Sequence, residues 1–227
     1  MTYSKVDRDA CVGLVALFAI LAATICLAAG SWHYWLGWAF LINFALCSMA
    51  ITAHLLRHDR ALLARRSYGG PNAETEPAQK FIQSLLAICF IGFFVISGLD
   101  FRSQSSNVSP YVIVLGHLLT IAGFAGIFVV FRANSFASAI IEVAENQPLV
   151  DTGPYKLVRH PMYFSALLLL VGMPLALGSY WAMLLILPTL AGLIARIYNE
   201  ELFLEKNLVG YAEYRRRTPW RLVPTLW

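Results

Sequence analysis

The sequence predicts an all-α fold, a polytopic membrane helical bundle of five to six transmembrane helices that ends in a C-terminal helical hairpin. Three observations predict it. Of the 227 residues, 59% are hydrophobic and 13% charged, about half the ~25% charge of a soluble domain. A charge placed in hydrocarbon costs several kcal/mol, so lipid-facing surface demands that deficit. Apolar runs cover residues 11–29, 34–56, 81–99 and 111–131, and a longer region covers 162–197. About 20 apolar residues, rising ~1.5 Å each, cross a hydrocarbon core. Finally, six crossings place 16 of the 17 Lys and Arg residues on one side, leaving only Arg102 on the other. The positive-inside rule puts that basic side, and with it both termini, in the cytoplasm.

The run 11–29 resembles a secretory leader in length, but it lacks a small-x-small cleavage site and more spans follow, so it reads as a retained helix. In the run 111–131, Gly116, Gly123 and Gly126 fit close approach of a neighbouring helix. Region 162–197 is too long for one span. It is interrupted at Gly172-Met173-Pro174 and at Gly178-Ser179, which predicts a hairpin of two short helices. Segments 57–80, 132–160 and 199–227 fall on the basic side, and the loops near 31, 100–110 and 178–180 on the other. The nearest approach to a linker is 67–77. The chain thus divides into residues 1–133, with four spans, and residues 134–227, where the polar signatures gather.

Several chemistries find little support. Cys11, Cys26, Cys47 and Cys89 lie in apolar stretches without a Cys-x-x-Cys pair and read as packing residues. His54 and His58 are four apart, but no third ligand is assignable, so no metal site is expected. The net charge of +4 reports topology and implies no nucleic-acid partner. No Gly-x-Gly-x-x-Gly or Walker loop occurs, and the length leaves no room for a soluble catalytic domain. Chemistry must therefore be built from helix ends and adjoining loops.

Residues 134–227 carry candidates for it. Phe136, Ile140, Val143 and Ala144 recur at helical spacing and predict a short interfacial helix. Gly153-Pro154 marks a turn. Pro161 suits the first turn of a helix, which sets Arg159 and His160 at that helix's mouth, where free N–H groups favour an anion. Arg196 and Glu200, four apart, suit an intrahelical ion pair or the wall of a polar pocket. Tyr211 and Tyr214 are three apart, and Arg215-Arg216-Arg217 suits anionic lipid headgroups.

The run Leu149-Val150-Asp151-Thr152-Gly153-Pro154-Tyr155-Lys156-Leu157-Val158-Arg159-His160-Pro161-Met162-Tyr163, then Arg196 with Glu200-Glu201, then Tyr211-x-x-Tyr214, then Arg221-Leu222-Val223-Pro224-Thr225-Leu226-Trp227 resembles the isoprenylcysteine carboxyl methyltransferase and phospholipid methyltransferase superfamily, bacterial members above all. The four blocks together are specific, and they cover about residues 135–227. The resemblance implies S-adenosylmethionine as cofactor, held in a cytoplasmic pocket by Gln147, Leu149, Gly153, Tyr155, Arg159, His160, Pro161, Tyr163, Glu200 and Glu201. It implies a catalytic role for Arg196 and Glu200, with Arg196, Tyr211 and Tyr214 toward the substrate, a lipid-like or small-molecule methyl acceptor. It also implies a bacterial inner-membrane location among membrane lipids. Gln147 departs from eukaryotic-type enzymes, which carry histidine there, and this weakens a prenylcysteine assignment. The alternatives are an NADPH-dependent membrane reductase of the sterol or steroid type and a non-catalytic transporter. The near absence of ionisable residues deep in the spans disfavours the transporter.

Overall fold

A computed structural model describes residues 3–227. Its helices are α1 (Tyr3–Ala29), α2 (Trp35–His58), α3 (Arg60–Ser67), α4 (Pro77–Ser103), α5 (Pro110–Ala133), α6 (Pro161–Ala176), α7 (Ile186–Asn207) and α8 (Tyr211–Arg217). No strand occurs among the described residues. Pro77, Pro110 and Pro161 open α4, α5 and α6, where a missing N–H costs nothing. Asp59 caps α3 by accepting from Leu62 N–H at 2.9 Å. Five helical segments are long and apolar enough to cross a membrane, the last running from Trp181 to Asn207. Their outer faces present large apolar side chains such as Val15, Leu27 and Ile88, each more than two-thirds exposed, as hydrocarbon contact requires.

Helix α6 has 16 residues, so at ~1.5 Å per residue it reaches about 24 Å and falls short of a full crossing. It packs most closely against α5, where glycines bring the backbones together. A Cβ at Gly172 would stand 2.7 Å from Gly116 O and 2.9 Å from Thr120 N. Gly172→Ala is therefore expected to push the helices apart and cost about 1–3 kcal/mol. A lowered thermal midpoint in detergent would register it, and an unchanged midpoint would refute the tight α5–α6 seam. The chain does not break at Gly172-Met173-Pro174 as the sequence suggests. There Gly172 serves the seam, and α6 continues to Ala176. The turn comes at Gly178, in the left-handed region (φ +71°), with Ser179 N–H donating to Pro174 O at 2.9 Å.

The loops expected on the charge-poor side do meet at one end. Asp100 accepts from Ser106 Oγ at 2.7 Å and from Ser179 Oγ, the Tyr34 hydroxyl donates to Leu177 O, and Arg102 lies over Gly30. The opposite end is basic and carries the polar interior. There the expected interfacial helix over 135–146 is not formed, and residues 134–152 run irregularly. Side chains from other elements claim the segment's backbone instead. Arg65 donates to Ser135 O (2.8 Å), Arg66 to Ser138 O (2.8 Å) and Arg196 to Ala139 O (3.0 Å), while Ile141 N–H donates to Glu74 (3.4 Å). The stretch read as a linker, 67–77, is likewise structured. It contains a 3-10 turn (Pro71–Ala73) and delivers the buried carboxylate of Glu74 inward.

Candidate functional site

At the basic end, the irregular 134–150 segment roofs a cavity whose walls come from the mouths of α6, α7 and α8. His160 and Arg159 sit just before Pro161 at the start of α6. Their placement is imposed by backbone pairing with a distant segment: Arg159 N–H donates to Trp220 O and His160 N–H to Arg221 O, both at 2.9 Å. Arg159 also donates from one terminal nitrogen to Thr218 O (2.8 Å) and Pro219 O (2.7 Å). The 218–227 segment is thereby stapled to the Arg-His-Pro block.

Glu201 is the hub beneath the cavity. Its Oε1 accepts from Arg159 Nε at 2.7 Å and faces His160 Nε2 at 3.2 Å, and its Oε2 accepts from Arg221 Nε at 3.0 Å. It is buried and does not line the cavity, so it holds the residues that do. While its Nε2 faces Glu201, His160 presents Nδ1 to Glu200 Oε1 across 4.0 Å. That gap is too long for a direct hydrogen bond and suits a bridging donor.

The Arg196–Glu200 ion pair suggested by their spacing is replaced by a longer chain of contacts. Arg196 pairs with Glu74 at 2.8 Å. Its Nε–H donates to the Tyr163 hydroxyl at 3.1 Å, and that hydroxyl donates to Glu200. Buried charges need a partner in close geometry, and Glu74, itself 4% exposed, meets that need better than a neighbour on the same helix. Sequence reading missed Glu74. The local signal was slight, because Glu74 is one of two carboxylates, with Glu76, in a polar turn. It also missed Gln79, whose Oε1 accepts from Arg196 at 2.8 Å, and Arg221 as the third partner of Glu201.

The remaining expected residues divide in two. Gln147, Leu149, Tyr155, Arg159, His160, Tyr163, Arg196, Glu200, Tyr211 and Tyr214 all line the cavity. Gly153 and Pro161 do not. Gly153, in the left-handed region (φ +58°), opens a second 3-10 turn (Gly153–Lys156) and Pro161 opens α6, so both shape the wall from behind. Gln147 also accepts from Ala144 N–H at 2.9 Å and closes the roof's own turn. Tyr155 accepts from Asn134 Nδ2 at 3.0 Å, and the Tyr214 hydroxyl donates to Tyr155 O at 2.8 Å. Burial, the largest cause, pushes the Tyr155 phenol up to about 12. Burial likewise raises Tyr211, with Glu201 and Glu200 adding to it, and raises Tyr214, with Tyr155 adding to it. All three hydroxyls therefore stay neutral donors near pH 7. The Tyr211 hydroxyl is buried and has no hydrogen-bond partner.

An all-helical bundle with five segments apolar enough to cross a membrane thus carries, at its basic end, a cavity walled by carboxylate, imidazole and phenol groups. Residues 111–209 match the family model for phospholipid methyltransferases, within the isoprenylcysteine carboxyl methyltransferase-like superfamily. The chain is similar to the cobalt-zinc-cadmium resistance protein CzcN of Cupriavidus metallidurans, with 33% identity over 134 residues, 56% of this chain and 57% of that one. It is also similar to the nickel-cobalt-cadmium resistance protein NccN of Alcaligenes xylosoxydans xylosoxydans, with 30% identity over 107 residues, 45% of this chain and 48% of that one. The chain spans about half the length of the curated relatives it matches. Glu74, Tyr211 and the 218–227 segment lie outside the family match.

Proposed function

We propose that the protein uses S-adenosylmethionine to methylate a lipid-like or membrane-accessible small acceptor at the cytoplasmic membrane face, with residues 134–227 as the catalytic core and 1–133 as the membrane-anchoring spans. The observation that carries this reading is the set of polar groups on residues lining one cavity: the partnerless Tyr211 hydroxyl and the Glu200–His160 pair separated by 4.0 Å. Acceptors at that separation suit an ammonium group, and a buried phenol suits a carboxylate or ribose oxygen. Tyr155, Tyr163 and Phe136 offer apolar ring faces for a purine. The residues present thus fit the cofactor, and when bound it supplies an activated methyl group on a sulfonium.

The protein's own contribution is alignment. Displacement at a sulfonium releases a neutral thioether and needs no acid, so rate comes mainly from orientation. Glu200 and His160 hold the cofactor's amino-acid end, Tyr163 fixes Glu200, and Arg196 fixes Tyr163. An acceptor that arrives protonated gives its proton to Glu200 or His160. The phospholipid methyltransferase match favours the transferase over an NADPH-dependent reductase.

The test is calorimetric titration of the detergent-solubilised protein with S-adenosylhomocysteine and, separately, with NADPH. Micromolar binding of the first and none of the second is expected, and the reverse would overturn the assignment. Tyr211→Phe sharpens the test because its two effects have opposite sign. Removing an unpartnered buried hydroxyl leaves stability unchanged or raises it by up to about 1–3 kcal/mol, while loss of its ligand contact weakens S-adenosylhomocysteine binding about tenfold. Unchanged affinity would remove Tyr211 from the site.

A further inference from the structure

Glu74 stands in the turn ahead of α4, outside the segment that defines the family, yet it reaches the centre of the site. Its Oε1 accepts from Arg196 at 2.8 Å and from Gln83 Nε2 at 3.3 Å, and its Oε2 accepts from Ile141 N–H in the roof at 3.4 Å. Arg196 has five N–H groups, and four are engaged within the protein: two by Glu74 and Gln79, one by Ala139 O and one by the Tyr163 hydroxyl. Arg159, the other arginine in the wall, pairs with Glu201, which it shares with Arg221. Both cavity-lining guanidinium groups are thus paired with carboxylates that are not in the cavity wall. Glu200 is in the wall, and among the described residues it has no Lys or Arg ion-pair partner. A positively charged ligand therefore meets no uncompensated guanidinium at Arg196.

We propose that Glu74 is a positioning and charge-setting residue of the site: by cancelling Arg196 it keeps an uncompensated cation from the wall beside Tyr163, so that the cavity prefers a ligand bearing positive charge at the transferable position, a sulfonium, to the neutral thioether left after transfer. This rests on the methyltransferase reading above. The consequence is functional. A cavity balanced in this way holds the charged cofactor and releases the neutral product. It also makes the N-terminal half a contributor to selectivity as well as an anchor.

The experiment is calorimetric titration of the full chain with sinefungin, which carries an amine at the transferable position, and with S-adenosylhomocysteine. The wild type is expected to favour sinefungin. Glu74→Gln keeps an oxygen for Arg196 but removes the charge, and it is expected to lower the sinefungin preference about tenfold, the low end of what a like charge within about 4–6 Å does to an ionisation equilibrium. The Glu74→Gln/Arg196→Gln pair restores the preference. A merely structural role for Glu74 lowers both affinities in proportion, so a folded Glu74→Gln protein with an unchanged ratio overturns the proposal. If Glu74→Gln does not fold, Arg196→Gln alone decides, because the ratio rises on the proposal and an unchanged or lower ratio overturns it. A wild type that binds neither ligand defeats the methyltransferase reading, and the proposal falls with it.

Discussion

Glu201→Ala is expected to destabilise the protein by about 3–5 kcal/mol, the usual consequence of removing one partner of a buried ion pair, and to abolish S-adenosylhomocysteine binding. Arg159 and Glu201 have side chains only 3% and 4% exposed, so water cannot replace the lost carboxylate. Arg159 would retain Thr218 O and Pro219 O, which solvate its charge without neutralising it. His160 would lose the acceptor that sets its tautomer and leaves Nδ1 directed at Glu200. Arg221 would lose its anchor too. Thermal unfolding in detergent reads the first effect and calorimetry the second. The cost comes from a stranded charge, so adding Arg159→Met to Glu201→Leu should recover much of the stability and none of the binding. A single variant that melts like wild type would show that Glu201 is not the hub.

The parts of the fold legible from the chain are those with a local period or a local composition. Spans appear as runs of about 20 apolar residues because hydrocarbon acts on every residue of a helix at once, and the α5–α6 seam is foreshadowed by Gly116, Gly123 and Gly126, which meet Ala176, Leu169 and Ser165. Periodicity misled at 135–146. The apolar spacing of Phe136, Ile140 and Val143 is real, but arginines from α3 and α7 take the carbonyls that a helix there would use. Long-range pairing explains the other omissions. Arg196 meets Glu74, 122 positions away, and no window of sequence relates the two. The i, i+4 relation to Glu200 is the local pairing that lost to it. Of the motif residues, Tyr155, His160, Tyr163 and Glu200 line the cavity, whereas Gly153 and Pro161 shape the backbone behind it.

Deletion of residues 221–227 is expected to eliminate cofactor binding while leaving the bundle formed. All eight helices precede the cut, so far-ultraviolet dichroism should change little. The site loses three supports together. Arg221 O no longer accepts from His160 N–H, Arg221 no longer pairs with Glu201 at 3.0 Å, and Leu222 no longer packs with Leu193 and Ile197 beneath Tyr163. Arg221 lies 4.8 Å from the Tyr198 ring centroid and 5.3 Å from that of Trp227, so the segment folds over its own cation, and Trp227 O gathers the N–H groups of Arg221, Leu222 and Val223. Arg221→Ala separates the charge from the rest. It removes the ion pair and the ring contacts but keeps the backbone bond to His160, and S-adenosylhomocysteine affinity should fall about tenfold, the scale of one charge-assisted hydrogen bond. If the point variant were as inactive as the deletion, the arginine rather than the backbone staple would set the His160 geometry. If the deletion kept wild-type affinity, α6, α7 and α8 would hold the cavity by themselves, and the pairing of Arg159 and His160 with residues 220 and 221 would be incidental to the site.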